Sequence, residues 1–199
     1  MPSGQDIQQY VTAAWRLMLG QRDAVRLLDL SADGFWNSFY AIIVAFPLMF
    51  TGWVAAANGL GEFAPDFGGR LSILLRLMTI DFAAWIVPLV LLAFVARPIG
   101  IADRFVAYVV ASNWGSVISS VVMLPISLLD LFVAADSEIA DSLSLVIFLA
   151  VLVLNWRLTN AVVDRGAAVA TGVFAFVLIA SLVILIGLQG AFGLMPNQG

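Results

Sequence analysis

The chain has 199 residues, of which 62% are hydrophobic and 11% charged, with a formal net charge of −4 and a mean hydropathy of +1.04. Soluble domains carry about 25% charged residues, so there is too little polar side chain here to cover a water-facing surface, and a bilayer must be the solvent. His, Cys and Lys are all missing, which excludes His- or Cys-ligated haem and clusters, thiolate zinc sites, Ser-His-Asp catalysis, disulfides, Schiff-base chemistry and P-loops.

The basic residues are nine separate arginines, too dispersed for a nucleic-acid surface. No catalytic residue, cofactor or metal is predicted, although an all-oxygen site of Asp and Asn remains chemically open to a cation.

Residues 1–34 hold seven charges and no long apolar run, which does not fit a signal peptide. Ile7, Tyr10, Val11, Ala14, Trp15 and Met18 recur at spacings of three or four, the mark of a one-sided helix. Gly20 is expected to end it. A second short pattern runs over residues 22–30, and Ser31 to Gly34 reads as a turn or helix cap. Two readings stand for this region: an interfacial helix that docks on lipid or a partner through Tyr10 and Trp15, or an elbow packed on the chain's own bundle.

Five apolar segments follow, predicting an all-α, polytopic transmembrane bundle over residues 35–195. The first, 35–57, is uncharged for 23 residues, about 34 Å of helix against a hydrocarbon layer of about 30 Å. The second covers 71–96 and contains Arg76 and Asp81; the third, 105–129, is uncharged. The fourth has only 15 uncharged residues, 142–156. It reaches a full span, 139–163, if Asp141 sits at one surface and Arg157 extends to the other; a re-entrant segment is the alternative. The fifth occupies about 167–192. Short connections predict that each span lies mostly beside its sequence neighbours.

Five crossings place Arg16, Arg22, Arg26, Arg97, Arg104, Arg157 and Arg165 on one side, while the third loop carries Asp130, Asp136, Glu138 and Asp141. The positive-inside rule then puts the N-terminus in the cytoplasm and the C-terminus outside.

Asp81 is the sharpest candidate site, because an acid within a span faces a cavity, a partner or a proton path. Counted from Leu71 it lies about 15 Å deep; counted from Leu77, with Arg76 at the surface, only about 6 Å. It is read either as a functional acid or as a structural group bonded between helices. Arg76 is five residues away, about 140° around the helix, and so a poor intrahelical partner. Asn113 and Asn155, with Ser116, Ser119 and Ser120, form a candidate polar seam, either interhelical glue or part of a solute path with Asp81. Asn37 and Ser38 lie too near an interface to add much. Pro47, Pro88 and Pro125 each remove a backbone donor within a span and are expected to kink it. Trp36, Trp53, Trp114 and Trp156 with Tyr40 and Tyr108 suit an aromatic belt, and Trp85 suits packing between helices. Gly166, Gly172, Gly187, Gly190 and Gly193 give the last span a small-residue face for a neighbouring protein, a second copy or this bundle itself.

The amphipathic start, the segment Gly34-Phe-Trp-Asn-Ser-Phe-Tyr40 running into Ala41-Ile-Ile-Val-Ala-Phe-Pro47, and about five close-set helices resemble the Yip1-like group of small polytopic membrane proteins. The resemblance is architectural, covers about residues 20–190, and carries over no site residue. Arg-for-Lys usage with abundant Ala and Val suits a high-GC bacterium and hence its inner membrane. The expected function is a non-catalytic accessory or scaffold subunit whose partners are lipid and another integral membrane protein or a second copy. A small permease or channel component using Asp81 is the alternative.

Overall fold

A computed structural model describes residues 1–59, 66–132 and 138–194. The chain is all-α among these residues: α1 (Gly4–Met18), α2 (Ala32–Ser38), α3 (Tyr40–Gly59), α4 (Phe67–Val95), α5 (Phe105–Phe132), α6 (Glu138–Val163) and α7 (Ala167–Ala191), with short 3₁₀ turns at Arg22–Leu27 and Ala102–Arg104. Five helical stretches are long and apolar enough to cross a membrane: Ala32–Asn58, Phe67–Val95, Ala102–Leu129, Ser142–Val163 and Ala167–Ala191. The fourth segment is thus one continuous helix that ends six residues beyond Arg157. The acidic third loop, the breakers Gly61 and Pro65, and the tail from Met195 fall outside the residues or side chains described.

Local chemistry explains the helix limits of the N-terminal region. Ser3 caps α1, accepting from Asp6 N while the Asp6 carboxylate accepts from Ser3 N at 2.7 Å. Gly20, at φ +87°, closes α1. Gly20 N bonds Leu17 O and Gln21 N bonds Arg16 O, the two reverse bonds that satisfy terminal carbonyls when a left-handed residue follows a helix. Ser31 caps α2 through Gly34 N.

Helix order departs from the neighbour-by-neighbour expectation. α5 packs most extensively on α3 and α6, while α4 turns its main face to α7 and only lightly touches α3. The reason is visible in composition. The span led by α5 is the least apolar of the five and the most buried, at 50%; α7 is the most apolar and the least buried, at 11%. With lipid as solvent there is no gain in hiding leucine, so small and polar residues that bond between helices go inside. α5 supplies them: Ala107, Ala111, Asn113 and Trp114 are buried.

α1 is an elbow on this same helix. It buries Ala13, Ala14, Leu17 and Met18 against α5 and α6. Gly115 lies in that junction. A Cβ there would stand 2.8 Å from Leu158 Cδ1 and 3.2 Å from Met18 Cε.

Arginine-bearing segments distant in sequence meet at one end of the bundle. Arg22 pairs with Asp164 at 2.6 Å and Arg104 reaches the same carboxylate at 3.8 Å. Arg165 pairs with Asp103 at 2.7 Å, and Arg157 donates to Leu19 O at 2.6 Å. The N-terminal region, the α4–α5 connection and the α6–α7 connection are therefore on the same side.

Candidate functional site

The sequence-selected polar residues fall into separate interhelical contacts. Asp81 is the middle residue of α4 (Phe67–Val95). Its Oδ2 accepts from Trp53 Nε1 of α3 at 2.6 Å. Trp53 belongs to an aromatic cluster with Phe46, Phe50 and Phe82, so it packs between helices as well as sitting near the end of α3. Arg76 does not approach Asp81 in an ion pair; its Nη1 donates to Phe192 O, at the C-terminal cap of α7, at 2.9 Å. This sets Arg76 level with the end of α7. Asp81 then lies about 7 Å farther along the helix axis.

Asn113 belongs to a different group. It is fully buried on α5, accepts from Trp85 Nε1 of α4 at 3.0 Å and donates through Nδ2 to Ser38 Oγ of α2 at 2.9 Å. Ser38 in turn donates to Phe35 O. The expectation that Ser38 adds little is corrected here, since it is completely enclosed. The parallel run of α2–α3 against α5 brings it to Asn113, a pairing 75 residues apart that no local pattern announces.

Asn155 joins α6 to α5, donating to Ser119 Oγ and to Val151 O, both at 2.9 Å. It also lines a cavity of about 220 Å³ among α4, α5, α6 and α7, together with Trp85, Tyr108, Ser112, Ser116 and Ser181. Neither Asp81 nor Asn113 is in that lining. Ser112, Ser116 and Ser181 donate to the carbonyls of Val109, Asn113 and Ala84. The hydroxyl and amide donors that carry the seam are thus committed to protein acceptors, and the cavity is mainly apolar with a few oxygen atoms on its wall. Tyr108, expected in the aromatic belt, is buried here instead, as is Trp114; Ser112, Thr159 and Ser181 carry no sequence signal, and only their meeting in space makes them notable. Among the described residues no group of three carboxylates is placed to hold a metal ion.

The three prolines lie inside α3, α4 and α5, and each helix continues past its proline. At Pro88 the missing donor would have served Ala84 O; that carbonyl accepts from Ser181 Oγ instead, at 2.9 Å. A neighbouring helix re-satisfies the backbone, so the proline makes a point of attachment and not an open ion site.

The docking candidates divide. Tyr10 is half-buried, its ring 5.4 Å from that of buried Trp114. Trp15 remains 42% exposed, beside a groove between α1 and α5. Gly166 caps α7 at φ +87°, and Gly172 lies in an apolar groove with Val95, Ile99 and Phe176. A Cβ at Gly166, Gly172 or Gly187 would meet nothing within 4 Å, so these glycines do not serve close packing within the chain.

The chain matches no protein-family model, and no significant likeness to a curated protein or a solved structure was found.

Proposed function

We propose that this chain is a non-catalytic integral membrane protein, an accessory or scaffold subunit that packs against another membrane assembly or against itself. One observation carries the reading: Asp81, Arg76, Asn113 and Asn155 bond to four different partners, Trp53, Phe192 O, the Trp85–Ser38 pair and Ser119. Catalysis and ion translocation need groups that converge, and these are dispersed as interhelical ties. The open glycines of α7 support the same reading, because small residues with no neighbour in the chain leave room for another helix.

The arginine-rich end is assigned to the cytoplasm of a bacterial cell, with the chain in the inner membrane, the N-terminus inside and the C-terminus outside. The gathering of the basic connections at one end supports that orientation. Placement in the Yip1-like group belongs to the same proposal and rests on the amphipathic start, the entry segment from Gly34 to Pro47 and the count of about five close-set helices.

Extraction in mild detergent from cells expressing the protein at native level, followed by identification of co-migrating proteins, tests the reading. A stable complex or a homo-oligomer is the expected result; a lone monomer throughout overturns it. Reporter tags on the two termini are expected on opposite faces, and the same face would overturn the five-crossing orientation.

The cavity beside Asn155 favours one second reading, a small permease or channel component. Vesicles containing the purified protein would then show solute flux that falls when Ser116→Leu fills the cavity. Unchanged flux, or none, removes that reading.

A further inference from the structure

We propose that the α3–α4 surface at Asp81 receives a membrane-spanning helix of a partner protein, and that a Lys or Arg on that helix pairs with Asp81. This inference rests on the scaffold reading and names the chemistry of its partner.

The carboxylate is only half provided for. Oδ2 accepts from Trp53 Nε1, but Oδ1 has no donor among the described residues. Among the described residues the one fully sealed side-chain polar atom without a partner is Asn160 Oδ1, so Asp81 Oδ1 is not closed off by them. None of the ion pairs of the described residues includes Asp81. An ionised acid within a span pairs with a countercharge or faces water, and Oδ1 is the position left open for one.

The chain itself does not supply that charge. It has no Lys or His. Arg76 is held by Phe192 O; Arg70 lies eleven residues away on α4, about 16 Å along its axis. Arg104 and Arg157 are at the opposite end of the bundle, bound to Asp164 and Leu19 O. A second copy brings the same arginines in the same places, so a different protein fits better.

The α3–α4 surface beside Asp81 offers a suitable wall. Phe46 and Phe50 of α3 stay exposed beside Trp53. Aromatic faces next to an acid suit the aliphatic stem and charged head of a basic side chain.

The test uses the full-length protein in phosphatidylcholine vesicles with labelled host peptides, membrane-spanning Leu-Ala helices that carry one variable residue, stepped turn by turn from the end nearer Phe192 to the helix middle. Energy transfer between protein and peptide is the readout. The Lys peptide is expected to associate about tenfold more tightly than its Leu counterpart, a difference equivalent to about 1.4 kcal/mol, and an Asp peptide no better than Leu. Asp81→Asn should abolish the preference and Asp81→Glu should keep it. Equal binding of Lys and Leu peptides by the unaltered protein overturns the proposal without any variant having to fold. A preference that survives Asp81→Asn, or Asp81-dependent self-association that excludes the peptides, overturns it too. A native complex whose partner has no basic residue in its spans would sink this inference and leave the scaffold reading standing. A clear Lys preference with no native partner would do the reverse.

Discussion

Ser181 bonds Ala84 across the α4–α7 interface, its hydroxyl 2.9 Å from the carbonyl that Pro88 leaves without an intrahelical donor. The pair turns a local weakness of α4 into a tie between two helices, and it is the clearest case in this chain of a backbone defect repaired by a neighbour. Ser181→Ala should therefore cost about 1 kcal/mol, the scale of an interhelical hydrogen bond in a membrane. Pro88→Ala restores the backbone donor, so Ser181→Ala should cost less in that background. A double-mutant cycle on reversible unfolding in detergent measures this; equal costs in both backgrounds would show that the two residues are uncoupled.

Asp164 links two arginines, Arg22 and Arg104, at the end of the bundle that carries the N-terminal region. These groups are partly exposed, so each pair contributes at most about 1 kcal/mol and is screened by salt. Asp164→Asn suits the backbone there, at φ +50°, because Asn tolerates the left-handed region. Global stability should change little, while amide exchange in Arg22–Leu27 should speed up, and high salt should do the same to the unaltered protein. Exchange confined to α7 instead would contradict the clamp.

Gly115 is a packing requirement. A side chain there meets Leu158 and Met18 at once, in the junction of α1, α5 and α6. Gly115→Leu should cost about 1 to 3 kcal/mol through overpacking and free α1 for proteolysis near Gly20. Gly172→Leu, where a Cβ meets nothing within 4 Å, should leave the isolated protein's stability nearly unchanged. Comparable melting losses in both variants would mean that α1 does not depend on close approach to α5.

The span pattern and the caps were legible because both are local. Uncharged runs long enough for a bilayer, Gly20 as the end of α1 and Ser31 as the cap of α2 are each set within a few residues of sequence. Which span lies at the centre was not legible, since hydropathy ranks α7 first and packing ranks α5 first. The site residues show the same division. Asp81, Asn113 and Asn155 stand out as polar groups in apolar runs, but their partners Trp53, Ser38 and Ser119 lie 28, 75 and 36 residues away. One-dimensional spacing carries no record of α4 crossing to α7, so Ser181 looked like an ordinary member of its helix and Tyr108 like a belt residue.

Acid should loosen the N-terminal region before the bundle. The Asp6 carboxylate accepts from Ser3 N, and that bond with the Ser3 hydroxyl contact holds its pKa below the ordinary 3.8. Asp29 is lowered in the same way by the Ser31 hydroxyl and backbone N–H. A lowered folded-state pKa means that the ionised form favours the fold: the contribution is complete above the ordinary value and is lost as pH falls through it toward the folded-state value. Helix α1 and the start of α2 should keep their exchange protection at pH 5 to 7 and lose it progressively below about pH 4, while α5 stays protected. In Asp6→Asn the acid-dependent step of the first turn of α1 should vanish, because no carboxylate is left in that turn to titrate. A step of unchanged size and midpoint in that variant would assign the acid sensitivity to another carboxylate and remove the capping pair as its cause.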